Sequence, residues 1–502
     1  MVLYTGIVRY YHSPYNLVSD FLSFRLQTIK RFSMENLEGY YFSALFSGCF
    51  LLSSLLFSKI TREQRDPYMD EIFHIPQAQL YCQGHFNQWD PMITTLPGLY
   101  LLSVGMVKPA AWLFGWNENV VCSNGMLRFI NLLFSLGSLY MLYSIISKIH
   151  YKNKVSSFRK IISTLTLYLF PTLYFFTFLY YTDTGSTFFV LFTYLMCLYG
   201  NHKSAALLGL CAFFFRQTNI IWIIFCAGNV ISEKLTEAWK IDLKKREDKP
   251  SARGSFSELV KALTFLVQYS LSFRNMISLV LLTWPYITLV FGFLVFLVYN
   301  GAVVVGDKTS HEVCINFPQL FYFFGFTLIF SFPHLVSVQK LTDFIKSVWR
   351  RPFLYIALAG ISVILIWKFT YVHKYLVADN RHYTFYVWKK IFQRHELIKY
   401  LLVSAYLFAA WSFTDSLKGK SVFWILMFFF CLLAATVPQK LLEFRYFIVP
   451  YLIFRLNIPI PSSIRLLLEL LVYILVNVFT FYLFLHKTFR WPDNEETQRF
   501  MW

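Results

Sequence analysis

Residues 41–74 read "YFSALFSGCFLLSSLLFSKITREQRDPYMDEIFH". The first twenty carry a single charge, Lys59, and as a helix they are long enough to cross roughly 30 Å of hydrocarbon. The polarity then reverses within a few residues, and Asp70, Glu71 and His74 follow the apolar run closely. A span that delivers two adjacent carboxylates to its edge indicates both the class of fold and the place to look for chemistry.

The whole chain repeats the pattern of its opening span. Of its 502 residues 57% are hydrophobic and only 15% charged, whereas about a quarter of residues are charged in soluble domains. Apolar windows of about 20 residues recur almost to the end, giving roughly 12 to 14 spans and an all-α polytopic membrane fold. The net charge of +19 comes from Lys and Arg concentrated in short loops. That placement fits orientation by the positive-inside rule and argues against nucleic acid as a partner. Eight cysteines show no CxxC spacing, and most fall in predicted spans as small hydrophobes.

Residues 1–33 lack a continuous apolar core and a small-residue cleavage site, so no signal peptide is expected there. They are read as a poorly ordered arm, and residues 34–502 as a single multi-span domain. The first large loop covers about 61–124, and the basic word "KIHYKNKVSSFRK" after the next span marks the cytosolic side. A charged loop at about 233–274 is cytosolic by the same count. Counting crossings places "PYMDEIFH", "YYTDTGS", "RQTN", "GDKTSHE", "VHKYLVADNRHYTFYVWKK" and "PQKLLEFRY" together on the opposite face. Cys82 and Cys122 lie on that face, where a disulfide is permitted in the secretory pathway.

Several residues there suit chemistry. A carboxylate beside low-dielectric surroundings has a raised pKa and becomes a better base near neutral pH, which points to Asp70 with Glu71. The pair also suits a helix N-terminus. Glu71 and His74 form an ExxH without a second copy, so a di-iron bundle site is not supported. Asp70 and His74 would share a helical face, but Pro76 biases Ile75 away from helical geometry, which leaves open whether the helix ends there.

Arg216 and Gln217 interrupt an apolar run, where a cation is usually functional unless it reaches an interface. Arg381, His382 and Tyr383 join a basic centre to aromatics that can hold phosphate and stack on sugar, or form an interfacial belt. Lys374 adds charge to the same loop, against the positive-inside expectation, which has a reason if an anion is met there. Lys440 and Arg445 sit at a span boundary, where headgroup anchoring is the simplest role.

With these words in view, the chain resembles the alpha-1,2-glucosyltransferases that add the last glucose to the dolichol-linked oligosaccharide for asparagine-linked glycosylation. The resemblance runs from about residue 37 to 502 on "PYMDEIFHIPQAQ", "QWDPMITTLPGLYL", "FPTLYFF", "FRQTNIIW", "LTWPY", "ADNRHYTFYVWK", "VPQKLLEFRYF" and "QRFMW". It implies a C-type glycosyltransferase fold with its active site on the lumenal face of the endoplasmic reticulum membrane. The donor would be dolichyl phosphate glucose and the acceptor the diglucosylated dolichyl diphosphate oligosaccharide, joined with inversion.

In that fold class the catalytic acid follows the first span, which here implies Asp70 with Glu71 as alternative or helper and His74 in support. Arg216, Gln217, Lys374, Arg381, His382, Tyr383, Lys440 and Arg445 are then candidates for the donor's phosphate or sugar, with no cofactor and no metal expected. A transporter or a channel-modulating subunit is the competing class, but it would more often show an internal repeat, and none is evident.

Overall fold

The computed structural model describes residues 14–117, 120–153, 155–245, 256–309, 312–492 and 494–502. By contact the chain divides into two compact units, Met1–Leu51 and Leu52–Trp502. Residues 1–13 of the N-terminal arm lie outside the described residues, and 14–33 belong to the first helix, α1 (Pro14–Glu63). The first loop contains two helices, α2 (Glu71–Cys82) and α3 (Gly98–Phe114), and is closed by a Cys82–Cys122 disulfide with Cα atoms 6.6 Å apart.

The next helices are α4 (Asn124–Ile149), α5 (Ser157–Tyr168), α6 (Pro171–Phe176), α7 (Thr182–Leu198), α8 (His202–Phe215) and α9 (Ile220–Lys245). They are followed by α10 (Phe256–Leu271), α11 (Phe273–Asn300), α12 (Pro318–Phe330), α13 (Phe332–Leu335), α14 (Val338–Arg350) and α15 (Pro352–Phe369). Short helices α16 (Lys374–Ala378), α17 (Tyr383–Val387) and α18 (Ile398–Leu401) lead to α19 (Val403–Ser416), α20 (Val422–Thr436), α21 (Ile448–Asn457) and α22 (Ser463–His486). A small antiparallel hairpin, β1 (Phe489–Trp491) with β2 (Asn494–Gln498), follows. Of the charged loop expected at 233–274, residues 246–255 lie outside the described residues; the flanking parts are helical.

In hydrocarbon every backbone polar group must be satisfied within the protein, and helices do this locally. Five helices among the described residues are long and apolar enough to cross a membrane: Leu37–Glu63 of α1, α4, α11, α15 and α22. Four shorter apolar helices, α3, α8, α12 and α20, accompany them. Proline punctuates the apolar sequence where a helix can tolerate it, at the first turns of α6, α12 and α15. Ser123, Ser337 and Ser421 accept hydrogen bonds from the backbone N–H three residues on and so cap α4, α14 and α20.

The spans are not equivalent. Most of α4 is buried inside the protein, whereas α11 and α15 leave most of their apolar surface outward, the surface lipid would cover. Aromatic rings fill much of the interior: Phe170 stacks on Tyr451 at 4.6 Å, and Phe413 on Phe454 at 3.9 Å.

The sequence left the end of α2 open at Pro76. Pro76 does not end α2, which continues to Cys82. The missing Pro76 N–H removes one helical bond, but Ile75, Gln77, Ala78 and Tyr81 are buried, and Gln77 binds the Gln88 carbonyl and the Asp90 N–H across the loop. Burial and these bonds outweigh the local bias, leaving Asp70 and His74 one helical turn apart, with His74 N–H bonded to the Asp70 carbonyl at 3.1 Å.

At Gly98 the start of α3 approaches the backbone of α8 so closely that a Cβ would lie 2.6 Å from the Phe214 carbonyl carbon and oxygen. Backbone cannot yield as a flexible side chain does. Gly98→Ala is therefore expected to destabilise the detergent-solubilised protein by about 1–3 kcal/mol, read as a lowered thermal midpoint.

Candidate active site

Two adjacent acids at the start of α2 have opposite surroundings. Glu71 is fully buried and every lone-pair direction is used: Arg128 of α4 donates from Nε to Oε1 at 2.8 Å and from Nη2 to Oε2 at 2.6 Å. Tyr68 N–H donates to Oε2 at 3.0 Å and Tyr180 N–H to Oε1 at 2.6 Å. The remaining Arg128 donors bind the carbonyls of Gln64 and Asp66. Met69, immediately before Asp70, sits in the left-handed region at φ 56°, a conformation a non-glycine residue adopts only when its surroundings impose it.

Asp70 instead keeps 37% of its side chain exposed and meets Arg445 Nη1 through Oδ2 at 2.9 Å. Its backbone N–H donates to the Tyr181 hydroxyl at 3.1 Å. Burial would raise its pKa, but the Arg445 guanidinium, with His74 and His382 nearby, outweighs burial and holds the carboxyl below the usual range. This reverses the raised pKa that proximity to apolar surroundings led us to expect. Burial lowers the His74 pKa to about 4 despite the attraction of Asp70. The imidazole is thus neutral at physiological pH, bonded through Nδ1 to the Tyr100 hydroxyl at 2.6 Å.

Arg445 lies in the 3₁₀ turn Phe444–Phe447 that enters α21. It is shared among three carboxylates: Asp70, Glu443, which accepts from its Nε, and Asp183, whose Oδ2 lies 3.9 Å from Nη1. Burial disfavours its charge, yet these three acids push its pKa further above the normal range. Asp183, buried in the first turn of α7, also pairs with Arg216 Nη1 at 2.9 Å, while Arg216 Nε donates to Thr182 Oγ1 at 3.1 Å. Arg216 sits in the break between α8 and α9. Asn219 stabilises that break by donating to Ser186 Oγ and the Ala212 carbonyl, each at 2.7 Å. Arg216, Arg445, Asp183, Trp222, Gln439 and Tyr446 line a single pocket.

The structure thus brings together Asp70, His74, Arg216 and Arg445. Gln217 stands behind the break, bonded to the Thr94 carbonyl at 3.1 Å. Arg381 is occupied by Asp379, at 2.9 and 2.8 Å, by Gln498 at 3.0 Å and by the Trp491 ring. His382 and Tyr383 hold the backbone of residues 501–502. Lys374 is exposed beside Tyr375, and Lys440 is a surface partner of Glu312 at 3.6 Å. Among the described residues no three of His, Cys, Asp and Glu converge as metal ligands.

Sequence reasoning did not single out Arg128, Asp183 or Tyr181. An acid in the four-residue gap "TDTG" between apolar runs was a usable signal for Asp183. Arg128 inside a predicted span was equally visible as an intramembrane cation.

Fold and site together define a polytopic all-helical membrane protein with a carboxylate and guanidinium cluster at the helix ends that follow its first span. Residues 64–456 match the DIE2/ALG10 family, and the chain belongs to it. A human protein named Dol-P-Glc:Glc(2)Man(9)GlcNAc(2)-PP-Dol alpha-1,2-glucosyltransferase is 64% identical over 473 residues, covering 93% of this chain and 100% of that protein. Proteins of the same name from Arabidopsis thaliana and Drosophila melanogaster are 34% and 33% identical, covering 87% and 90% of this chain and 95% and 97% of their own lengths. No solved structure matches.

The two neighbouring acids should separate experimentally. Arg128→Met leaves the Glu71 charge buried without its partner and is expected to cost about 3–5 kcal/mol, seen as a large drop in thermal midpoint. Asp70→Asn alters a part-exposed pair and should cost no more than about 1 kcal/mol.

Proposed function

We propose that this protein transfers glucose in alpha-1,2 linkage from dolichyl phosphate glucose to the diglucosylated dolichyl diphosphate oligosaccharide, with inversion, on the lumenal face of the endoplasmic reticulum membrane. The observation that carries the reading is the Asp70–Arg445 pair at 2.9 Å, a part-exposed carboxylate beside a guanidinium that lines one pocket with Arg216. The relatives' shared name supports the substrates. The Cys82–Cys122 disulfide in the first loop supports the lumenal placement, because disulfides persist in oxidising compartments.

Asp70 is the base. The acceptor's 2-hydroxyl oxygen bonds the anomeric carbon as the bond from that carbon to the phosphate oxygen breaks, and the hydroxyl proton passes to the Asp70 carboxylate. Dolichyl phosphate leaves with the bonding electron pair, facing Arg216 and Arg445, whose fixed charges stabilise it. Glu71, saturated by Arg128 and two backbone N–H groups, positions the turn and takes no proton. His74, neutral, is held by the Tyr100 hydroxyl one helical turn from Asp70.

Arg445 links donor to base. A phosphate seated between the two arginines competes with Asp70 for the Arg445 guanidinium, so Asp70 regains basicity when the donor is in place.

Asp70→Asn should lower transfer from a dolichyl phosphate glucose analogue by about 10²–10⁴-fold in reconstituted protein. Full turnover from that variant would remove Asp70 from the role. Because Arg445 depresses Asp70 in the free enzyme, activity falls as pH drops through that depressed value, and with donor bound the fall begins at higher pH. The acid limb of kcat is therefore expected above that of kcat/KM for the donor; coincident limbs would exclude competition for Arg445.

A further inference from the structure

Residues 498–502 supply no reacting group to this scheme, yet they bind both segments that form the Asp70–Arg445 pair. On one side Tyr68, two residues before Asp70, donates from its hydroxyl to the Arg499 carbonyl at 2.6 Å and accepts from the Arg499 N–H at 2.8 Å. The Arg499 guanidinium reaches the C-terminal ends of two helices. It donates to the carbonyl of Glu63 in α1 at 3.0 Å and to that of Phe484 in α22 at 2.7 Å, and to Gln64 Oε1 at 2.8 Å. A cation is stabilising where such carbonyls lack helical partners, so the connection 63–68 is fixed at its start by the arginine and at its end by Tyr68.

On the other side the Trp502 ring packs at 5.9 Å from Phe444, the residue before Arg445, and at 5.1 Å from Tyr383. The intervening backbone is fixed as well. Met501 N–H donates to the Arg381 carbonyl and Tyr383 N–H to the Met501 carbonyl, both at 3.0 Å, while His382 Nδ1 is bonded to the Trp502 backbone oxygen at 2.9 Å.

We propose that residues 498–502 are a positioning clasp, setting the separation of Asp70 and Arg445 by holding Tyr68 on one side and Phe444 on the other. Tyr68, Arg499 and Trp502 are then positioning residues for glucose transfer. The inference rests on the function proposed above.

Tyr68→Phe is the sharpest probe. It removes the hydroxyl that joins residues 431 apart in sequence and leaves a ring to pack on Phe484. Trp502→Ala loosens the opposite side. The charged and titratable groups facing Asp70 are the Arg445 guanidinium, itself shared with Glu443 and Asp183, and the imidazoles of His74 and His382; the Tyr181 hydroxyl meets its backbone.

Loosening either hold weakens the Arg445 contact, which should raise the acid limb of kcat/KM. It should also lower kcat by about 10-fold with KM for both lipid substrates within about twofold. Reconstituted full-length protein is assayed, normalised to folded protein by gel filtration. Unchanged kcat and acid limb in both variants, or losses that vanish on normalisation with the wild-type limb retained, would overturn the clasp. Wild-type protein that transfers no glucose in the same assay would remove the functional reading itself, a separate result.

Discussion

The buried Glu71 carboxylate is the constraint on which the rest of the site depends. An ion of this size inside an apolar bundle is penalised by several kcal/mol unless its lone pairs are met. Meeting them requires Arg128 from α4, Tyr68 from the connection after α1, and Tyr180 from the segment before α7. Three stretches far apart in sequence are thereby drawn to one point. Successive residues on a helix diverge by about 100°, so burying the Glu71 carboxylate also turns Asp70 toward Arg445. The left-handed Met69 backbone is the local consequence.

Around Asp70 the balance of charge is close. Asp70, Asp183 and Glu443 face Arg216 and Arg445, so the cluster carries no surplus of positive charge before substrate arrives. Such groups interact strongly because the surrounding protein screens them poorly. Under the proposed function an arriving phosphate therefore takes a share of an arginine already in use. In the proposed reaction, recognition of the donor and release of the base are two aspects of one redistribution of hydrogen bonds, and Asp183 stands between the two guanidiniums, bonded to Arg216 and close to Arg445.

In the loop of residues 373–390 the principal cation has a structural partner. Its charges suggested an anion site, yet Arg381 satisfies its planar fork with Asp379 and Gln498. That arginine joins the loop to the hairpin β1–β2 and to the segment that follows it. The words "ADNRHYTFYVWK" and "QRFMW" are thus two halves of one contact, with backbone pairing between Arg381, Tyr383 and Met501.

Residue type and spacing were enough for the class of fold, because apolar length is a direct measure of what can lie in hydrocarbon. They pointed also to Asp70 and Glu71, the acids that follow the first span, and to the break at Arg216. What they left open was which of two adjacent carboxylates reaches Arg445, whether α2 survives Pro76, and which cations stay near Asp70. Those answers depend on partners 11 to 375 positions away, and local sequence carries no record of such pairings. Tertiary packing decided them by burying one acid against Arg128 and leaving the other, one residue earlier, within reach of Arg445.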